Sequence, residues 1–127
     1  MKADSKKTIL VVDDNSDLIY SVKEGLKSIA NYEVKGVENG KECLDFLSKQ
    51  KPDLILLDIM MPGMDGWDVC AKIKGKKDTA NIPIIFLTAK TDPISKSMGR
   101  LASKDYIEKP FELKDLKRRI DKGLEKD

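Results

Sequence analysis

The stretch KPDLILLDIMMPGMDG, Lys51–Gly66, decides how this chain is read. Its centre, Leu54–Leu57, is the most apolar run present, and it stops at a carboxylate, Asp58. Four consecutive aliphatic residues leave no polar face, so the segment reads as a strand buried on both sides. A charge at the end of such a strand is costly unless something compensates it. Pro62 and Gly63 then force a turn. The DGWDVCAKIK that follows reads as a helix with Asp65 as its cap. Asp58 is therefore either an ordinary structural carboxylate or one corner of a polar site.

Outward from this stretch, apolar runs and helical patterns alternate. TILVV (Thr8–Val12) reads as a strand. From Asn15 to Ala30, Leu18, Ile19, Val22, Leu26 and Ile29 keep one helical stripe. YEVKGV alternates as a half-exposed edge strand does. GKECLDFLSKQ places Cys43, Leu44, Phe46 and Leu47 on one helical face. PIIFLT is another buried strand, opening on Pro83, and DYIE is a short one. Between them, DPISKSMGRLA reads as a helix from Pro93 to Ala102, capped by Asp92. Leu113, Leu116, Ile120 and Leu124 stripe a C-terminal helix, which Phe111 is expected to begin. Five β-α units in a row imply an α/β fold with a parallel sheet covered on both faces and right-handed crossovers.

In such a sheet all strand C-termini share one edge, where ligand crevices form. The first strand ends in Asp13 and Asp14, the third in Asp58, the fourth in Thr88, and the fifth leads to Lys109 and Pro110. Each has a bland explanation when taken alone: Asp13 or Asp14 as a helix cap, Thr88 as a β-branched strand residue, Lys109 as a solvated loop cation. Together they converge on one rim. The EKPF segment must turn Lys109 back into the crevice, which a cis Lys109–Pro110 bond achieves.

Composition narrows the chemistry. At 127 residues, 40% hydrophobic and 36% charged, the chain is one globular domain by size. A net charge of +2 is too mild to argue for nucleic acid, and no apolar run approaches the ~18 residues of a membrane span. MKADSKKT at the N-terminus is no signal peptide, so a cytoplasmic location is expected. Cys43 and Cys70 read as reduced, partly buried thiols. The chain has no histidine, which excludes histidine bases, histidine metal ligands and self-contained phosphohistidine chemistry.

The convergent charges suggest what the site takes. Three crowded carboxylates repel, and one is driven neutral unless a cation joins them. Oxygen-only donors suit a hard ion, Mg²⁺ or Mn²⁺. About −3 from the acids, +2 from such an ion and +1 from Lys109 is near zero. A phosphoryl group on Asp58 takes the total to only about −1 with the ion, but about −3 without it. An aspartyl phosphate is thus plausible with the metal present, the Lys109 ammonium and Thr88 hydroxyl holding phosphoryl oxygens.

VVDDN, LILLDIMMPGMDG, IIFLTA and DYIEKPF, in this order and spacing, resemble the receiver domain of two-component response regulators of the chemotaxis-regulator kind. The likeness runs from about Thr8 to Lys122. It implies a flavodoxin-like, doubly wound sheet of five parallel strands in the order 2-1-3-4-5 with five helices. It implies Asp58 as phosphoacceptor, with Asp13, Asp14, Asp58 and the backbone carbonyl of Met60 as Mg²⁺ ligands. Thr88 and Lys109 contact the phosphoryl group, and Thr88 with Tyr106 forms a switch. The resemblance further implies one receiver domain over 1–127 (core about 8–122) with no output domain. Such a chain is a switch rather than a turnover enzyme, although it catalyses its own phosphoryl uptake and slow loss. A histidine kinase or histidine phosphotransfer protein supplies the phosphoryl group, and a separate effector protein receives the signal. No direct nucleic-acid or membrane contact is expected, and the state is a monomer or a weak phosphorylation-dependent dimer.

Two other readings share features. A flavodoxin-like nucleotide-binding module requires a hydroxyl- or glycine-rich loop after the first strand, where this chain has DDNSD. A Mg²⁺-dependent phosphatase of the haloacid-dehalogenase kind opens a D-x-D motif there, whereas here the acids are adjacent. A P-loop is excluded, because NGKE has Lys35 in place of the upstream glycine and no Ser or Thr after Lys41. The chain also departs from the receiver pattern. Thr88 to Tyr106 is one residue shorter than expected, Ala102 and Ser103 stand where Gly-Ala is usual, and Gly99 falls inside the predicted helix. A short, weakly held fourth helix on the output face is the expectation.

Overall fold

The computed structural model describes residues 6–89 and 105–125. Strands β1 (Lys7–Val12), β2 (Tyr32–Val37), β3 (Leu54–Asp58), β4 (Ile84–Ala89) and β5 (Asp105–Lys109) form one sheet. Its order is β2-β1-β3-β4-β5, and every described pairing is parallel. Four helices are described: α1 (Ser16–Ile29), α2 (Gly40–Lys49), α3 (Gly66–Lys74) and α4 (Leu113–Leu124). This is the flavodoxin-like topology the resemblance implies. The helix expected over Pro93–Ala102, with its Asp92 cap, lies outside the described residues.

The period of two along each strand divides the core. Leu10, Val12, Ile55, Leu57, Ile84 and Phe86 pack with Cys43 and Leu47 of α2 and Val69, Cys70 and Ile73 of α3. Ile9, Val11, Leu54, Leu56, Ile85 and Leu87 face the other way, onto Ile19, Val22 and Leu26 of α1 and Leu116 and Ile120 of α4. Both faces are covered, so the central strands carry unbroken apolar runs, Ile9–Val12, Leu54–Leu57 and Ile84–Leu87. Each such aliphatic side chain contributes roughly 1.5–3 kcal/mol by leaving water. Both cysteines are buried and neither is in a disulfide, and burial pushes the Cys43 thiol up to about 12.

Local signals set the helix starts. Asn15 caps α1, its side chain accepting from the amides of Asp17 and Leu18, and Asn39 caps α2 by accepting from Glu42. Asp65 and Asp68 close a reciprocal capping box on α3. Two boundaries and one burial differ from expectation. Phe111 lies in the turn, and α4 begins at Leu113 because Glu112 is still extended (φ −92°, ψ 144°). Pro83 precedes β4 rather than opening it; it has no amide to donate, though its carbonyl accepts from Ile55 at 3.0 Å. Ile29 is 40% exposed, since it falls at the margin of the α1 stripe in the last turn. Among the described residues no helix is long and apolar enough to cross a membrane.

Candidate functional site

The pairing register brings the strand ends together. Val12 lies opposite Leu57, so the next residues outward, Asp13 and Asp58, leave adjacent strands side by side. Across the next pairings Asp58 lies opposite Leu87, Thr88 opposite Glu108, and Ala89 opposite Lys109. The crevice sits where the chain order reverses, because β1 pairs with both β2 and β3.

Asp13 is fully buried, Asp58 is 4% exposed and Thr88 1%. Asp14 faces solvent. One carboxylate oxygen from each of Asp13, Asp14 and Asp58 lies within 4.8 Å of the others. The Lys109 ammonium donates to Asp13 Oδ2 at 2.7 Å and stands 3.3 Å from Asp58 Oδ1. The Asn15 amide donates to Asp13 Oδ1 at 3.0 Å, so both oxygens of this buried carboxylate are engaged. The Lys109–Pro110 bond is cis, as the turn at EKPF led us to expect.

These contacts leave Asp58 only partly compensated. Burial and the negative charge of Asp13 push its pKa up to about 6, against the pull of Lys109 and of the nearby Met60 backbone amide. Burial works against the Lys109 ammonium, yet its contacts with Asp13 and Asp58 outweigh this and hold its pKa above the ordinary lysine value. Three acids against one lysine leave excess negative charge, and the donors are all oxygen. The residues therefore fit a hard divalent cation such as Mg²⁺. Asp13, Asp14 and Asp58 would hold it.

The remaining expected residues flank this centre. Met60 stands two residues beyond Asp58; its amide faces the Asp58 carboxylate and its side chain is 65% exposed. The Thr88 hydroxyl donates to the Ala89 carbonyl at 3.2 Å. Tyr106 is half-buried on the neighbouring strand opposite Phe86, against the α2–α3 side of the core. Its carbonyl accepts from Arg119 Nη1 at 2.9 Å, and the same nitrogen reaches both oxygens of Asp105 at 3.1–3.2 Å.

Sequence reasoning missed two participants. Arg119, which ties α4 to the start of β5, sits among five cations of one polar helix face, and its spacing does not single it out. Gly66 reads as an ordinary first helical residue, but it lies directly against the backbone of Asp58. The only signal was a second glycine in PGMDG with no turn left to explain it.

Comparison with known proteins places this geometry. A family model described as "Response regulator receiver domain" matches residues 9–121. The chain is 40% identical over 122 residues to a Vibrio cholerae protein named "Probable cyclic di-GMP phosphodiesterase", covering 95% of this chain and 27% of that one. It is 40% identical over 116 residues to "Probable transcriptional regulator ycf27" of Porphyridium aerugineum, covering 91% and 47%. It thus spans between about a quarter and about a half of these two relatives. Among solved structures, the chemotaxis response regulator CheY4 of Vibrio cholerae superposes with a TM-score of 0.86 at 27% identity, covering 94% of this chain and 100% of that one.

Proposed function

The chain belongs to the response regulator receiver domain family, and from that premise we propose that it is a phosphorylation-activated signalling switch whose phosphoacceptor is Asp58. The observation that carries this reading is the Asp13–Asp14–Asp58 cluster with Lys109 set between two of its members. In the proposed step an Asp58 carboxylate oxygen attacks the phosphorus of a phosphohistidine on a histidine kinase or phosphotransfer protein. A P–O bond forms, the P–N bond breaks, and its electron pair stays on the imidazole. Lys109 swings from Asp13 to the incoming phosphoryl oxygens, and the Thr88 hydroxyl turns from Ala89 to join it. A bound Mg²⁺ supplies charge compensation between the carboxylates and the phosphoryl group. Hydrolysis of the acyl phosphate later resets the switch.

The donor has a natural place to rest. A groove beside Lys109, whose apolar wall is Leu18, Val22, Pro110, Phe111 and Leu113 and whose polar wall is Asn15, Asp17 and Ser21, suits an amphipathic donor helix. The output is a conformational change read by a separate partner: withdrawal of the Thr88 hydroxyl leaves room beside Tyr106, whose ring turns inward. The test is direct. Acetyl phosphate with Mg²⁺ is expected to add one phosphoryl group by mass, EDTA to prevent it, and Asp58→Asn to abolish it. Equal labelling of the Asn variant sinks the assignment.

A further inference from the structure

Two glycines punctuate the loop after β3, and the fold needs them for different reasons. Gly63 has φ +76°, a left-handed conformation, and a side chain there would meet open space. It serves the turn alone. Gly66 has no positive φ. A Cβ at residue 66 would lie 2.4 Å from the Asp58 carbonyl oxygen and 2.7 Å from the Ile59 Cα. Both are backbone atoms of the strand end that carries the site, and backbone cannot step aside as a flexible side chain can.

The same residue closes the loop. The Gly66 amide donates to the Ile59 carbonyl at 2.8 Å, so residues 59–66 form a tied ring. The ring is anchored on either side of Met60 by buried Ile59 and Met61. Asp65 and Asp68 hold the helix start in register by their capping box. Met64 packs under the first residue of α2, where a Cβ on Gly40 would meet its sulfur at 2.9 Å. The Met60 backbone, whose amide faces the Asp58 carboxylate, is thus suspended between fixed points.

We propose that Gly66 is a positioning residue for the cation site: its missing side chain lets the first turn of α3 lie on the Asp58–Ile59 backbone, and that contact sets the Asp58 carboxylate and the Met60 backbone for a divalent ion. This rests on the reading of Asp13, Asp14 and Asp58 as Mg²⁺ ligands. Loop closure and ion binding are then linked, and the linkage is reciprocal.

The test is Mg²⁺ binding to the unphosphorylated chain, measured by calorimetry, with thermal unfolding in parallel. Gly66→Ala is expected to weaken Mg²⁺ binding about tenfold or more, within the usual range of such couplings. Gly63→Ala loses stability through its strained φ but is expected to shift Mg²⁺ affinity less than about twofold, since the added methyl group would meet open space. A folded Gly66→Ala chain that binds Mg²⁺ as the parent does, or equal losses in both variants, overturns the proposal. Should Gly66→Ala fail to fold, the parent decides alone. Saturating Mg²⁺ is expected to slow hydrogen exchange of the Gly66 amide about tenfold by the same reciprocity, and unchanged exchange overturns the proposal. A parent that does not bind Mg²⁺ defeats the underlying metal-site reading, whereas a parent that binds while Gly66→Ala is unaffected defeats only the role of Gly66.

Discussion

Lys109 Nζ lies 2.7 Å from Asp13 Oδ2, joining two residues 96 positions apart in the chain and setting a cation between two buried carboxylates. Removing one partner of a buried ion pair leaves the other charge uncompensated. The Lys109 side chain is 27% exposed, so water recovers part of the loss. Lys109→Met is expected to lower stability by about 1–3 kcal/mol in metal-free buffer. Millimolar Mg²⁺ should recover much of that, because the ion takes over the compensation of Asp13 and Asp58. Urea unfolding with and without Mg²⁺ checks both arms. A metal-free variant as stable as the parent would contradict the electrostatic account.

Asp58 gives a pH signature. Its folded pKa of about 6 lies above the ordinary carboxylate value of 3.8, because of burial and the neighbouring Asp13. Folding therefore favours the protonated form. That contribution is complete below about pH 4 and is lost as pH rises through about 6. Without metal, Asp58→Asn should exceed the parent in stability by about 1–3 kcal/mol at pH 8. The gap should close towards pH 4, where the parent carries the proton itself. Thermal melts across this range test the sign, and a gap that widens on acidification would refute it.

The capping box of α3 can be weighed separately. Asp65 Oδ1 accepts from the Asp68 amide at 2.9 Å, and Asp68 returns the bond to the Asp65 amide at 3.3 Å. Asp65→Ala should cost about 1 kcal/mol, and Asp65→Ser, which keeps an acceptor, only a few tenths. Chemical denaturation of the two variants side by side distinguishes a lost hydrogen bond from a lost charge.

Arg119 links the last helix to the last strand. Its Nη1 gathers the Asp105 carboxylate and the Tyr106 carbonyl, while Asp115 stands 3.2 Å from Nε. Arg119→Ala should cost about 1–3 kcal/mol, the range for hydrogen bonds to a charged group. Arg119→Lys should recover only part, since one ammonium cannot reproduce the planar fork. Full recovery by lysine, read from urea midpoints, would reduce the contact to simple charge.

The sequence by itself carried the alternation of apolar strands and striped helices, because both periods are written in which residues are apolar. It also carried the strand-end location of Asp13, Asp58, Thr88 and Lys109, because a parallel sheet sends every strand's C-terminus to one edge. The Asp65 cap of α3 is a local event and was legible too, whereas Asn39 as the cap of α2 came only from the structure. What only the tertiary structure decided are relations between residues distant in the chain. The Lys109 ammonium lies between Asp13 and Asp58 because the β4–β5 register sets Lys109 opposite Ala89. Asp13 is buried while its neighbour Asp14 faces solvent, because alternate residues leaving a strand point to opposite sides. Gly66 presses on the Asp58 backbone because α3 folds back onto the strand it follows. A one-dimensional pattern records which residues must be buried, but the distances between them come from strand register and helix docking, and those are set by the packing of the whole sheet.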